Sequence, residues 1–215
     1  MKTRTLLISV LFFSIIFSLC SQSVFNLKIE PIYIHPESVD DIRVFTIDSI
    51  PPYIYTDIPD LKKMDVPTRK KKFIELILPA ILFEKFRIKK MYNMIDDKSP
   101  ELLYNYCGCE TKQELYYCLT EQPNSIIIAQ AAMESGWGTS RFFLEGFNLF
   151  GIHSFDENDL KIKAEGSDTS SPVYVKKYDS LLLSVSDYLR TLGRSNAYSE
   201  FRIRRFQNDS VENLL

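Results

Sequence analysis

A carboxylate at the end of an apolar segment is the feature of this 215-residue sequence most able to carry out chemistry. Residues 126–133 read IIIAQAAM, a composition typical of a helix that is buried on nearly all sides. They lead into Glu134 and then into Ser-Gly-Trp-Gly, which holds the single Trp of the chain, Trp137. Burial beside an indole favours the neutral carboxylic acid, the form that protonates a glycosidic oxygen in general acid catalysis. A polar residue at the point where the helix emerges into water is the competing interpretation.

The segments around this motif predict a mostly helical fold with one small hairpin. Helical spacing of apolar residues covers residues 68–95, 100–106, 112–119, 123–138 and 181–192. In the first of these, Thr68 is a candidate N-cap, although the following lysines shift the expected start toward Phe73, and Pro79 predicts a kink. Short β-type runs at residues 160–164 and 173–177 flank a turn region and predict a β-hairpin.

Residues 24–65 have a different character, because short apolar runs alternate there with Pro and Asp. This pattern predicts extended chain, which either reaches toward the globular part or drapes over it. The basic residues between positions 62 and 90 are explained better by a solvated helix face than by contact with an anionic polymer.

The composition narrows the class of partner. With 45% hydrophobic and 25% charged residues and a net charge of −2, the chain has enough apolar material for a core. It lacks the basic excess that binding to nucleic acid usually requires, so we expect no nucleic-acid partner.

The N-terminus predicts export. Lys2 and Arg4 precede a mostly apolar run over residues 6–19, which is shorter than the ~20 residues needed to span a bilayer. Small residues at the right spacing predict cleavage after Cys20, with an uncleaved anchor and a lipid-modified Cys20 as alternatives. We therefore expect a protein of the periplasm or cell envelope, or a secreted one, that touches the membrane only through such an anchor.

Export in turn favours disulfides. Cys107-Gly108-Cys109 is too tight for an easy bond to itself, so we expect one of its cysteines to pair with Cys118, which leaves one thiol free. A zinc site is the competing interpretation. The chain has only two histidines, His35 and His153, both distant in sequence, so we predict no metal and no cofactor.

Residues 123–151, PNSIIIAQAAMESGWGTSRFFLEGFNLFG, resemble the core motif of the Bax-type and flagellar FlgJ-type glucosaminidases, which are peptidoglycan N-acetylglucosaminidases. The resemblance extends over residues 67–205 and implies an α+β, predominantly α fold: a lysozyme-like helical domain with a small inserted β-hairpin lobe. It divides the chain into a signal peptide (1–20), an extended Pro-punctuated region (21–66) and a glucosaminidase domain (67–215). Bax-type relatives continue into a further helical segment, so we expect this domain to be incomplete at its C-terminus.

The resemblance also implies roles for individual residues. Glu134 corresponds to the catalytic acid, and Asn148 and Phe150 belong to the N-L-F-G segment that shapes the cleft. The second carboxylate corresponds by position to Glu165, with three competitors nearby, Glu157, Asp159 and Asp168. Among aromatic residues that could stack on sugar rings, the leading candidates are Trp137 and Tyr198; Phe150 is equally well explained by packing, and Tyr188 is better explained by packing. Phe147 departs from the family, whose members often carry Asn there.

The expected function is hydrolysis of the β-1,4 bond after N-acetylglucosamine in peptidoglycan strands, by a monomeric enzyme. A lytic transglycosylase of similar fold is the nearest alternative. A truncated relative that binds the cell wall without cutting it is an alternative of a different class.

Overall fold

The computed structural model describes residues 30–46, 50–96, 101–167 and 170–207, so the predicted signal peptide, Cys20 and Asp168 lie outside the described residues. The described part is mainly helical, which confirms the predicted class. Its helices are α1 (Val66–Asn93), α2 (Glu101–Cys107), α3 (Lys112–Leu119), α4 (Asn124–Ser135), α5 (Arg141–Gly146), α6 (Leu181–Arg194) and α7 (Ser199–Phe206). None of the described helices is long and apolar enough to cross a membrane.

In the described residues, four short strands form two separate two-stranded sheets. The strands β1 (Ile32–Ile34) and β2 (Tyr53–Tyr55) pair in parallel, with Ile32 opposite Tyr53. The strands β3 (Lys161–Lys163) and β4 (Tyr174–Lys176) pair antiparallel, with Ile162 opposite Val175. The second pair confirms the predicted hairpin between the helices.

Helix α1 begins earlier than the sequence analysis predicted. The Asp65 carboxylate caps the helix by accepting a hydrogen bond from the Thr68 amide at 3.1 Å, and Pro67 occupies the first turn. The negative charge of Asp65 offsets the lysines that follow, so Thr68 is not the cap and the start does not move to Phe73. The helix runs on through Pro79 as far as Asn93.

The core forms where α1 packs against α3, α4, α6 and β2. Helix α4 contributes Ile127 and Ala131 to it, but its burial is one-sided: Met133 is 80% exposed. The prediction that this helix is buried on nearly all sides is therefore wrong. Its open face carries Glu134, which is exposed.

The segment before α1 drapes over the helices. Ile54, Tyr55 and Leu61 are fully buried in the same hydrophobic cluster as Phe73 of α1. The buried Tyr55 hydroxyl accepts a hydrogen bond from the Arg43 amide at 2.9 Å, which satisfies the polar end of this side chain. Of the two predicted arrangements of this extended chain, the structure has the draped one.

This packing predicts that the segment stabilises the fold. Replacement of Ile54 by Ala should lower the free energy of unfolding by about 2–5 kcal/mol, since it removes buried methyl groups from a packed site. Ile32, which is 51% exposed in the paired strand, is the matched control. Its replacement by Ala should change the free energy of unfolding by less than about 0.5 kcal/mol. Denaturant unfolding of both variants measures this, and equal losses would contradict the packing described.

Candidate active site

The C-terminus of α4 presents Glu134 to solvent. Three consecutive residues after the helix adopt left-handed backbone conformations, Gly136 (φ 58°), Trp137 (φ 58°) and Gly138 (φ 81°). The amides of Gly136 and Trp137 turn back to the carbonyl of Ala132, the latter at 2.9 Å, so the helix ends at Ser135. The sequence analysis expected Glu134 to be neutral because it would be buried. In the structure its side chain is exposed, so this physical reason does not apply.

The buried Ser135 hydroxyl fixes this turn. It donates to the carbonyl of Ala131 at 2.6 Å and accepts from the Gly138 amide at 3.0 Å. A side chain on Gly138 would meet the ring of Phe73 at 2.9 Å, so the turn is pressed against α1. The residues that end the helix are therefore held by contacts on both sides.

The carboxylate of Glu134 lies directly against the backbone of Gly151. A Cβ atom at Gly151 would come within 2.8 Å of Glu134 Oε2, so a side chain there would force the carboxylate to move. Gly151 also has φ 64°, a conformation that glycine adopts most readily. Glycine is therefore required here for two reasons, space beside the carboxylate and backbone conformation.

Asn148 anchors the turn that carries Gly151. Its side chain is 1% exposed, and its amide nitrogen donates to the carbonyls of Ile152 at 2.9 Å and Lys176 at 2.8 Å. Its oxygen accepts from the Ile152 amide at 2.9 Å. The sequence analysis expected Asn148 to bind substrate; the structure ties its polar atoms to backbone groups of the turn and of β4, which is a positioning role.

Leu149 and Phe150 attach the same turn to α6. The Leu149 amide donates to the Ser184 hydroxyl at 3.2 Å, and the Phe150 ring stacks on Tyr188, with centroids 3.8 Å apart and planes 7° from parallel. Both rings are 7% exposed, so packing explains Phe150 as well as Tyr188. The Tyr188 hydroxyl donates to Gln130, one turn before Glu134 on α4.

Tyr198 lies beside this stack in a short 3₁₀ turn, Asn196–Tyr198, between α6 and α7. Burial raises the pKa of Tyr188, and the neighbouring Tyr198 raises it further. Tyr198 is 37% exposed and therefore accessible to a ligand. Glu134, the Phe150–Tyr188 stack and Tyr198 are thus linked through α4, the 148–151 turn and α6.

Trp137 makes its ring contacts on α1. It meets Phe73 edge to face at 5.8 Å, and Lys70 Nζ lies 4.7 Å above its ring. The indole is half-buried, so it both packs against the core and retains an accessible part. The Lys70 ammonium therefore covers part of the Trp137 ring face that was expected to stack on sugar.

Glu165 lies in the turn immediately after β3 and belongs to the hairpin. Its side chain is 85% exposed, and Arg141 Nε of α5 lies 3.1 Å from its Oε1. Arg141 also donates to the Lys163 carbonyl at 2.7 Å, so α5 holds this end of the hairpin. Of the competing carboxylates, Glu157 is exposed and Asp159 accepts a hydrogen bond from Ser154 at 2.9 Å.

Two residues of this site were not assigned by the sequence analysis: Gln130 and Ser184. Gly151 was assigned only as the last residue of the N-L-F-G segment, and its close approach to Glu134 is seen in the structure. No sequence signal indicates the contacts of Ser184, because its partner, Leu149, is 35 residues away.

The cysteines form a separate cluster at the junction of α2 and α3. The sulfurs of Cys107, Cys109 and Cys118 all lie within 4.8 Å of one another, and all three are free thiols, so the expected disulfide is not formed in this structure. A hydrogen bond from Cys107, together with the charges of Arg202 and Arg205, lowers the pKa of Cys118 to about 7. Burial raises the pKa of Cys109 to about 12.

Comparison with known proteins identifies the family. Residues 104–214 match the glucosaminidase family model, described as mannosyl-glycoprotein endo-beta-N-acetylglucosaminidase. The chain belongs to this glucosaminidase family. The match confirms the resemblance found in the sequence and places the protein among glycoside hydrolases. It begins within α2 and includes Glu134, the 148–151 turn, Glu165 and Tyr198.

Two individual proteins are also similar to this glucosaminidase. Protein bax of Escherichia coli (strain K12) is 31% identical over 177 residues, covering 71% of this chain and 61% of that protein, so the chain spans less than two thirds of this relative. The catalytic domain of the autolysin Auto from Listeria monocytogenes aligns with a TM-score of 0.38 at 20% identity, covering 70% of this chain and 71% of that one.

The contact between Gly151 and Glu134 predicts a defect in activity that is separable from stability. Gly151→Ala should lower the rate of glycan hydrolysis at least about 100-fold, because the new methyl group displaces the carboxylate. Gly166→Ala is the matched control, since Gly166 has a similar φ of 72° but nothing within 4 Å of the added atom. Each variant carries a backbone cost of about 1 kcal/mol from the left-handed conformation.

Initial rates and thermal unfolding of the two glycine variants measure this prediction. Equal activity of Gly151→Ala and Gly166→Ala, with both folded, would show that the contact does not position Glu134.

Proposed function

We propose that this protein is an exported peptidoglycan hydrolase that cleaves the β-1,4 bond after N-acetylglucosamine, with Glu134 as general acid. One observation carries the proposal: within the family-matched region, the exposed carboxylate of Glu134 lies against the backbone of Gly151 at a turn tied to α6 and β4. Such a carboxylate is accessible to a polymer and lies beside an anchored turn, which supports a role in proton transfer to a glycosidic oxygen.

The exposed position of Glu134 suits a polymeric substrate. A glycan strand lying over the end of α4 would cover the carboxylate and displace water from it. Glu134 then donates its proton to the leaving oxygen, while water attacks the anomeric carbon.

The attack by water requires assistance, for which we propose Glu165. It is an exposed carboxylate on the hairpin, held toward α5 by Arg141. The acetamido group of the substrate is the alternative source of assistance. The separation of the two carboxylates in the complex would set the stereochemistry, since about 5 Å favours a covalent intermediate and about 6.5–9.5 Å leaves room for water.

Tyr198 is the aromatic side chain that we propose for contact with the sugar rings. Its exposure beside the buried Phe150–Tyr188 stack supports this role. Trp137 contributes its remaining accessible part, while its contacts with Phe73 and Lys70 hold the end of α4 against α1.

Export of the protein is part of the proposal because peptidoglycan lies outside the cytoplasmic membrane. The basic and apolar N-terminal residues support it, as does the cleavage pattern that ends at Cys20. N-terminal sequencing of protein recovered from the cell envelope would give Ser21 as the first residue if the predicted cleavage is correct.

Glu134→Gln tests the proposed acid. This variant keeps the shape of the side chain but cannot donate the proton, so digestion of purified sacculi should slow by about 10²–10⁴-fold. Glu101→Gln, an exposed carboxylate at the start of α2, is the matched control and should retain the full rate. Clearance of sacculi at equal rates by both variants would exclude Glu134 as the acid.

The products distinguish the proposed reaction from its alternatives. Hydrolysis predicts fragments with reducing N-acetylglucosamine ends, detected by mass spectrometry after chemical reduction. Fragments with 1,6-anhydro ends would identify a lytic transglycosylase. Protein that sediments with sacculi but releases no fragments would be a wall-binding protein without catalysis.

Glu165→Gln tests the second carboxylate. If Glu165 assists the water, the rate should fall at least about 100-fold, within the range of general base catalysis. Glu157→Gln, an exposed carboxylate of the same lobe, should keep the original rate. A fall of less than about threefold in Glu165→Gln, against the effect expected of a general base, would assign the assistance to another group.

A further inference from the structure

The three cysteines outside the catalytic region form a compact set of sulfur ligands. Cys107 ends α2, Cys109 follows one residue later, and Cys118 lies in the last turn of α3. Their sulfurs are all within 4.8 Å of one another. With zinc–sulfur bonds of about 2.3 Å, sulfurs sharing one ion lie about 3.8–4.0 Å apart, so small side-chain adjustments bring all three onto a common metal ion.

Two buried arginines act on this cluster, and neither has a carboxylate partner. Arg202 is 9% exposed and donates to the carbonyls of Leu192 and Ser195, while Arg205 is 6% exposed and donates to Gln122 and to the Tyr117 carbonyl. Within the described ranges neither forms an ion pair, and the Nε of Arg205 has no hydrogen-bond partner. The positive charges of Arg202 and Arg205 both favour the thiolate form of Cys118 and so lower its pKa.

Arg202 also acts electrostatically on Glu114, but this carboxylate is exposed and accepts hydrogen bonds from Thr111 and from the Glu110 amide at the start of α3. Buried cations are costly unless a charge of opposite sign lies close to them. The two arginines would therefore stabilise negative charge on the cysteine cluster.

We propose that Cys107, Cys109 and Cys118 form a three-thiolate binding site for a soft metal ion such as Zn²⁺ or Cu(I). Thiolates select these ions over harder ones. Zinc binding displaces the thiol protons into solvent, and three thiolates with one Zn²⁺ leave a complex of one net negative charge, which faces Arg202 and Arg205. Cys109 and Cys118 are only half-buried, which leaves a path for the ion.

A disulfide satisfies this environment less well. It joins two of the three sulfurs into a neutral group, which gives up the negative charge that Arg202 and Arg205 would stabilise, and it leaves the third thiol unused. The metal site uses all three sulfurs and keeps the charge. It would tie α2 to α3, and α3 also packs against α1, α6 and α7.

Metal content and thiol protection test the site in the full-length protein. Protein purified with a reductant and stripped with a chelator is incubated with Zn²⁺, or in a separate arm with Cu(I), and then desalted. We expect one metal ion per chain and at least tenfold slower alkylation of the three cysteines, read by mass spectrometry. Metal-free protein treated in the same way is the control, and its three cysteines should be alkylated at the original rate.

Single substitutions test which residues bind the metal ion and whether the nearby arginines strengthen its binding. Cys118→Ser should weaken zinc binding at least tenfold, whereas His153→Asn, which removes an exposed imidazole, should leave it unchanged. Arg205→Met should weaken binding about 10–100-fold, as expected for a group that supports the ligands. Arg204→Met, on the same helix but exposed and paired with Glu200, is its control.

Two results would overturn this proposal. One is failure of both metals to bind and protect the thiols of the unsubstituted protein, a measurement that does not depend on any variant folding. The other is isolation of the protein without reductant in a form two hydrogens lighter, with Cys118 joined to Cys107 or Cys109 as a disulfide.

Discussion

The approach of the Gly151 backbone to the Glu134 carboxylate is the constraint on which the candidate active site depends. A single added carbon at Gly151 would meet the carboxylate at 2.8 Å, so the turn and the end of α4 approach each other too closely for any side chain at residue 151 unless the carboxylate moves. Each residue of the 148–151 turn contributes to that close approach. Asn148 bonds to β4, Leu149 bonds to α6, and Phe150 stacks on Tyr188. The N-L-F-G motif thus holds the turn beside Glu134, the proposed acid.

The surrounding fold supports this turn from several directions. The left-handed residues after α4 press Gly138 and Trp137 against Phe73 of α1, so the long helix fixes the end of the short one. Strand β4 accepts one hydrogen bond from Asn148, and Glu165 lies in the turn after β3. The draped N-terminal segment buries Leu61 against the same region of α1. The hairpin therefore provides the anchor of the turn as well as the second candidate carboxylate.

Features set by neighbouring residues could be predicted from the sequence, while features set by distant contacts could not. The helix over Lys112–Leu119 and the hairpin follow from local spacing and turn residues, and the structure confirms both. The parallel pairing of β1 with β2 joins residues about 20 apart, and no local pattern specifies it. The burial of α4 was overestimated because an apolar composition does not reveal which face lacks a neighbour: Met133 is apolar and still 80% exposed.

The candidate site divides in the same way, into features that the sequence indicates and features that depend on distant contacts. Glu134 was identified from its place at the end of an apolar run and from family resemblance, but the reason given, burial, is replaced by exposure beside Gly151. The motif predicted that Asn148 binds substrate. A motif does not show where a side chain directs its hydrogen bonds, and those of Asn148 go to the backbone of the turn and of β4. The proximity of Cys118 to Cys107 or Cys109 was predicted as a disulfide, whereas the structure has three free thiols together.

The most direct test of the account is a crystal structure of the Glu134→Gln protein with a bound peptidoglycan fragment of several sugars. The account predicts that the glycosidic oxygen after N-acetylglucosamine lies within hydrogen-bond distance of the residue 134 side chain, with the 148–151 turn unchanged. A fragment bound with its glycosidic oxygens away from residue 134 would contradict it.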